Sequence, residues 1–357
     1  MRLARATKPA RPLRLARPMR LATLARGALT AALALVAVTA VPAPAEAAFE
    51  PPLPALNITD TYVTGISSGG FMASQLQIAN SATFKGAAVF AAGPYYCGQG
   101  SILHGLAECT GLASTDPAGI VATARRWSEQ GKIDPVANLA GKPVYTYHGT
   151  KDPLVSERVS DEGVEVHRQL GARIAYHDTD PAGHGWPRPD GALPCGTTFY
   201  PFLIDCGNDP QGELLTHWLG SVRPPAAAQT GTLSGHDQDR YTPGGWAQFY
   251  SLGSKSFLYT PDSCAAGKPC KLVVALHGCL SDNKFVGDRF ARESYLNEYA
   301  DTNDLVVLYP QTDISVARGN PQGCWDWWGY TGSDYAQKSA PQMRMIMNEV
   351  RALGGAR

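Results

Sequence analysis

Ser67, inside Gly65-Ile66-Ser67-Ser68-Gly69, is the residue whose surroundings best suit a nucleophile. Glycines two positions away on either side permit a nucleophile elbow, a strained turn that lifts the serine oxygen clear of the backbone. The pattern carries that mechanism only between a strand and a helix. Asn57 to Thr64 reads as the strand and Phe71 to Ala79 as the helix. Ser68 as nucleophile would lose the symmetric glycine frame. A serine hydroxyl needs a base to take its proton and an acid to orient that base. In α/β-hydrolases the order after the elbow is acid, then histidine. Asp152 follows the strand-like run Pro143–His148, and His184 lies in the loop Pro181-Ala182-Gly183-His184-Gly185-Trp186. Both therefore sit at strand ends, where open α/β sheets collect their active sites. Asp178 and Asp180 stand as substitutes for the acid. His148, His177 and His277 are the weaker histidines, being tied to other loops and strand ends.

The oxyanion that forms during acyl transfer needs two preorganised donors. The residue after the nucleophile supplies one, so the Ser68 backbone N–H is the first candidate. The backbone N–H of Cys279, in His277-Gly278-Cys279, fits the second. Aromatic residues crowd the same loops. Tyr95, Tyr96, Trp186, Trp325, Trp327 and Trp328 are candidates for a cleft rim facing a hydrophobic ester, although aromatics are more often core and at least one tryptophan should be buried. Asp326, between tryptophans, reads as a buried hydrogen-bonding residue.

These residues need a scaffold, and the chain alternates short apolar runs with helical patterns. That alternation indicates an α/β fold, a mainly parallel sheet with helices on both faces. Gly86–Ala92, Pro143–His148, Arg173–Tyr176, Lys271–Leu276 and Asp304–Tyr309 read as strands. Trp246–Ser251 and Ser256–Thr260 resemble an antiparallel pair. Helices are expected over 120–130, 160–171 and 212–219, near 285–299, and from Asp334 to Leu353. The strand that runs into His277-Gly278-Cys279 normally precedes the elbow in an α/β-hydrolase. Here it comes some 210 residues later. The reading that follows is a circularly permuted α/β-hydrolase, its old termini joined by the Pro- and Ala-rich segment 222–242. Permutation is plausible because domain termini usually lie close together at the surface. On this reading residues 48–357 form a single catalytic domain.

The first 47 residues have a different character. Eight basic residues precede an apolar run from Ala28 to Val41, then Ala45-Glu46-Ala47. This is the form of a secretory signal peptide with cleavage after Ala47. The apolar run is short for a membrane span, and no adjacent arginine pair points to the twin-arginine route. The whole chain has 31 basic and 31 acidic residues; the part after Ala47 keeps 23 and 30, a net charge of −7. Neither nucleic acid nor stable membrane association is expected of such a surface, and a secreted or periplasmic monomer is. All eight cysteines lie in this part, an even count that reads as disulfides in an oxidising compartment. Proximity pairs Cys97 with Cys109, Cys195 with Cys206 and Cys264 with Cys270, leaving Cys279 with Cys324. Zinc is disfavoured because no C-x-x-C spacing occurs and the histidines are scattered.

Taken together, the chain resembles the polyhydroxybutyrate (PHB) depolymerase esterases, specifically their single-domain, circularly permuted kind. The resemblance rests on Gly65–Ala73, Ala91–Cys97, His148–Asp152, Gly183–Trp186, Leu276–Cys279 and Cys324–Tyr330, which spread over most of residues 57–350. It implies Ser67, Asp152 and His184 as the triad and Ser68 and Cys279 as oxyanion donors. It also implies cofactor-free hydrolysis of poly(3-hydroxybutyrate) or its oligomers through an acyl-enzyme. Many extracellular depolymerases carry a further polymer-binding domain, whereas this sequence stops at Arg357 after the terminal helix. Adsorption to solid polymer would then rest on surface aromatics, or the substrate would be oligomers. A feruloyl or acetyl-xylan esterase is the alternative, and a non-catalytic polymer-binding protein a more distant one.

Overall fold

A computed structural model describes residues 50–356; the expected signal peptide and its cleavage site lie outside them. From the elbow onward, β1 (Ile58–Ile66) is followed by α1 (Ser68–Ala79) and β2 (Phe84–Phe90). Next come α2 (Ile102–Glu108), α3 (Pro117–Glu129), β3 (Pro143–Tyr147), α4 (Glu157–Gln169) and β4 (Arg173–His177). A small parallel sheet of β5 (Trp186–Pro187), β6 (Leu193–Pro194) and β7 (Leu203–Asp205) precedes α5 (Pro210–Leu219). The second half contributes β8 (Thr232–Asp237), β9 (Lys255–Thr260), α6 (Asp262–Ala265) and β10 (Cys270–Leu276). Three short helices, α7 (Asn283–Val286), α8 (Arg289–Glu293) and α9 (Leu296–Asn303), lead to β11 (Leu305–Tyr309) and then α10 (Pro341–Leu353).

Eight strands form one sheet in the order β4-β3-β2-β1-β10-β11-β9-β8. The six from β4 to β11 run parallel, while β9 and β8 are antiparallel. Each half of the chain thus supplies one half of the sheet, and the two meet where β1 pairs with β10. Alternation along the central strands divides the core into two layers. Leu272, Val274, Val306 and Leu308 face one side, packed with Leu76 of α1, Ala124 of α3 and Met343 and Ile346 of α10. Val273, Ala275, Val307 and Tyr309 face the other, with Trp218 of α5, Phe290 of α8 and Tyr299 of α9. The near-continuous apolar runs of β10 and β11 follow from this burial on both faces.

Three expectations need correction. Besides β11, the antiparallel partner of β9 is Thr232–Asp237, inside the segment read as a joint, and not Trp246–Ser251. Gly244 and Gly245, both with positive φ, turn the latter stretch into 3₁₀ structure that leaves Trp246 and Phe249 in solvent. The helix expected near 285–299 is three pieces, because Gly287 and Tyr295 adopt φ of 63° and 65°, outside the right-handed region. The last helix starts at Pro341 and not Asp334; a proline fits the first helical position, where no N–H is required.

All eight cysteines are paired as proximity suggested: Cys97–Cys109, Cys195–Cys206, Cys264–Cys270 and Cys279–Cys324. One buried acid stands out. Glu349 of α10 is fully enclosed, and burial, only partly offset by Ser256 of β9, pushes its carboxyl from 4.5 up to about 8. The folded state therefore holds a proton that the unfolded chain releases at lower pH. Its stabilisation is complete below pH 4.5 and declines by ~1.4 kcal/mol per pH unit until about 8. Glu349→Gln, a neutral shape mimic, is expected to flatten this decline. Thermal midpoints at pH 5, 7 and 9 check it: the wild type should lose more between pH 5 and 9 than the variant.

Candidate active site

The turn between β1 and α1 places Ser67 at φ 56° and ψ −124°, a region sparsely occupied by residues with side chains and costing about 1–3 kcal/mol. Two hydrogen bonds hold it there. The Ser67 N–H donates to the Phe90 carbonyl of β2 at 2.9 Å, and the Phe71 N–H donates to the Ser67 carbonyl at 3.0 Å. Positions 65 and 69 must be glycine. A Cβ on Gly65 would lie 2.3 Å from the Gly69 carbonyl oxygen, and one on Gly69 would lie 2.4 Å from the carbonyl oxygens of Leu276 and His277. The elbow and the loop after β10 are therefore in backbone contact, although some 210 residues separate them in sequence.

His184 stands in a loop after β4. Its ring Nδ1 is 2.7 Å from Asp152 Oδ2, and both side chains are nearly or wholly excluded from solvent. Asp152 Oδ1 accepts the backbone N–H groups of Leu154 at 2.8 Å and Val155 at 3.0 Å. Burial works against its charge, but these bonds and the one from His184 outweigh it and hold the carboxyl below the ordinary aspartate range. A carboxylate at Nδ1 keeps the proton on that nitrogen and leaves Nε2 as an acceptor. The loop is fixed from behind: the His184 N–H donates to Thr198 Oγ1 at 2.7 Å and the Gly183 N–H to the Cys195 carbonyl at 2.8 Å.

Ser67, His184, Ser68 and Cys279 all line one cleft of about 320 Å³. Ser68 is the first residue of α1, whose opening N–H groups have no acceptor within the helix. Its hydroxyl accepts the Trp325 N–H at 3.3 Å. The Cys279 loop is bolted to the segment 311–324. His277 Nδ1 donates to the Gly278 carbonyl at 2.7 Å, its Nε2 accepts the Thr312 N–H at 3.3 Å, and the Leu280 N–H donates to the Gln322 carbonyl at 2.8 Å. Burial lowers His277 to about 4, so the ring is neutral and serves as a strut. The Cys279–Cys324 disulfide closes the same connection.

The aromatic expectations divide. Of the six, only Trp327 lines the cleft, stacked on Phe71 at 5.6 Å. Tyr95, Trp186 and Trp325 are core residues: the Tyr95 hydroxyl donates to the Ala336 carbonyl, and Trp186 Nε1 donates to the Ser294 carbonyl. Trp328 is also buried, packed against Trp327 and Tyr330, and Tyr96 packs edge-on to Trp127. Asp326 is buried and accepts from Gly329, Tyr330 and Thr331, organising its loop. The remaining cleft wall comes from residues the sequence did not mark, among them Leu106, Leu154, Val155, Phe202 and Leu280. They are scattered over α2 and the loops after β3, before β7 and after β10, so no periodic pattern announces them. Among the described residues, no group of three or more histidine, cysteine, aspartate or glutamate side chains could hold a metal.

The Cys279–Cys324 bridge closes 45 residues and Cys264–Cys270 only 6. Chain-entropy arguments give the longer link about 4 kcal/mol and the shorter about 2 kcal/mol. Replacing each pair with alanines and measuring urea denaturation should reproduce that ranking, with hydrolysis of a short acyl ester impaired in the Cys279/Cys324 variant alone.

Residues 255–353 match the family model described as "Esterase PHB depolymerase". The poly(3-hydroxybutyrate) depolymerase of Delftia acidovorans is 39% identical over 308 residues, covering 82% of this chain and 60% of that relative. This chain thus spans less than two thirds of the Delftia protein. The polyhydroxybutyrate depolymerase of Talaromyces funiculosus is 34% identical over 322 residues, covering 84% of this chain and 92% of the relative. Two solved structures align with 30% identity over 86% of this chain and all of theirs. They are the PHB depolymerase from Penicillium funiculosum, with a TM-score of 0.77, and a serine-to-alanine PHB depolymerase complexed with an R3HB trimer, with a TM-score of 0.78. The α/β sheet, the cleft at its strand ends and these relatives agree: the chain belongs to the PHB depolymerase esterase family.

Proposed function

We propose that this protein is a secreted serine esterase that hydrolyses poly(3-hydroxybutyrate) or its oligomers, with Ser67 as nucleophile, His184 as base and Asp152 as the orienting acid. The observation that carries this reading is the 2.7 Å contact between Asp152 and His184 Nδ1, which leaves Nε2 as the free ring nitrogen of a histidine lining the same cleft as Ser67. In the acylation step Ser67 Oγ attacks the ester carbonyl and its proton passes to His184 Nε2. The oxyanion is met by the N–H groups of Ser68 and Cys279. His184 then protonates the departing alkoxide oxygen, releasing an alcohol and leaving an acyl-enzyme, and a water activated by the same histidine releases the acid. Every group in this cycle belongs to the chain, and no step calls for a cofactor.

The lining supports an apolar polyester. Leu106 and Leu154 border the cleft and are about half exposed, and Ile102 and Leu103 continue the apolar surface along α2. Four disulfides and the basic-apolar N-terminal segment support export. No helix of the described residues is long and apolar enough to cross a membrane. We read residues 48–357 as one permuted catalytic domain, because both chain halves meet in one sheet at the β1–β10 pair.

Ser67→Ala is expected to lower kcat on a short acyl ester by at least about 10⁴-fold, and Asp152→Asn by about 10³- to 10⁴-fold. Purified enzyme should be given 3-hydroxybutyrate oligomers, amorphous polymer and methyl ferulate side by side. Hydroxybutyrate release lost in Ser67→Ala supports the reading; ferulate release without hydroxybutyrate would redirect it to carbohydrate esters.

A further inference from the structure

Asp180 and His177, the residues that compete with Asp152 and His184 in sequence, form a second histidine–carboxylate pair behind the first. His177 ends β4 with Nε2 3.2 Å from Asp180 Oδ2 and Nδ1 3.0 Å from Glu213 Oε2 of α5. Asp180 Oδ2 also accepts the Tyr147 hydroxyl at 2.6 Å and Asn208 Nδ2 at 2.5 Å, while Glu213 Oε2 accepts the Tyr145 hydroxyl at 2.8 Å. Burial opposes a charge on His177, yet its bonds to Asp180 and Glu213 prevail and raise its pKa above the ordinary value. One imidazole ring therefore bridges two carboxylates, and each carboxylate also accepts a tyrosine hydroxyl of β3.

The backbone around this cluster links it to the candidate acid and base. The His177 carbonyl accepts the His148 N–H at 2.9 Å, the Asp180 carbonyl accepts the Thr150 N–H at 2.8 Å, and the Ala182 carbonyl accepts the Lys151 N–H at 3.0 Å. Residues 148–152 and 177–184 are thus zipped together, with Asp152 near the end of one segment and His184 at the end of the other. The Asp180 side chain anchors that zip to β3, β4 and Asn208. His177 and Glu213 line a separate groove of about 800 Å³ that shares no lining residue with the cleft, so the cluster does not touch a substrate bound there.

Resting on the assignment of Asp152 and His184 as acid and base, we infer that Asp180 and His177 are positioning residues that set the register between the two catalytic loops. A displacement of ~1 Å between such loops is enough to cost on the order of 10²-fold in rate. The test is steady-state kinetics on a soluble short acyl ester, with thermal midpoints measured alongside and Ser67→Ala as reference. Asp180→Ala is expected to lower kcat ~10- to 100-fold with KM within about twofold. Asp180→Asn keeps an acceptor for Tyr147 and should restore most of that loss, and His177→Gln should lower kcat in the same manner. If Asp180→Ala does not fold, His177→Gln carries the test, since His177 lies on the edge strand and is partly exposed. Unchanged kcat in a folded variant, or a loss confined to KM or to thermal stability, overturns the positioning role while Ser67→Ala remains inactive. An active Ser67→Ala enzyme instead overturns the esterase assignment beneath it.

Discussion

The backbone contact between the β1–α1 turn and the loop after β10 is the constraint on which the site depends. Gly69 lies against the carbonyls of Leu276 and His277, with no room for a side chain between them. That contact brings the candidate nucleophile and the candidate oxyanion donors to one place. It is possible only because β1 and β10 are hydrogen-bonded neighbours in the sheet, in register from Asp60–Lys271 to Gly65–Leu276. The strain at Ser67 persists because the turn is held on both sides, by Phe90 of β2 and by the first turn of α1.

Around this rigid centre, the cleft walls are loops, and loops need other restraints. Three of the four disulfides supply them. Cys97–Cys109 brackets α2, which presents Leu106; Cys195–Cys206 backs the His184 loop through Gly183; Cys279–Cys324 ties the loop after β10 to the tryptophan segment. The fourth, Cys264–Cys270, closes a short turn before β10. A covalent framework of this kind suits a site whose side chains come from loops, since preorganisation requires those loops not to wander.

Electrostatically, the site keeps its charges few and paired. Asp152 is dry but accepts three hydrogen bonds, so it stays ionised beside His184. His277 and His148 lie close by in sequence motifs of the site, and burial lowers the pKa of both, which favours the neutral rings. His177 is the exception: the flanking carboxylates outweigh its burial.

What the sequence by itself determined is local. The elbow pattern, the parallel α/β class and the pairing of the three cysteine pairs 6 to 12 residues apart rest on turn chemistry, strand period and loop length, which are written in neighbouring residues. β1, β2, β3, α1 and α3 matched their expected positions within a few residues for the same reason, whereas α2 was not anticipated. Tertiary structure decided the rest. Six aromatics looked alike in sequence, yet Trp327 alone reached the cleft and Tyr95, Trp186 and Trp325 went into the core. The partner of β9, the breaks in the helical stretch 283–303 and the leucine-lined wall were likewise hidden. Burial and strand pairing depend on residues far away in the chain. Only the assembled sheet brings Ser67 to Cys279, and only that assembly decides which side chains are left lining the cleft.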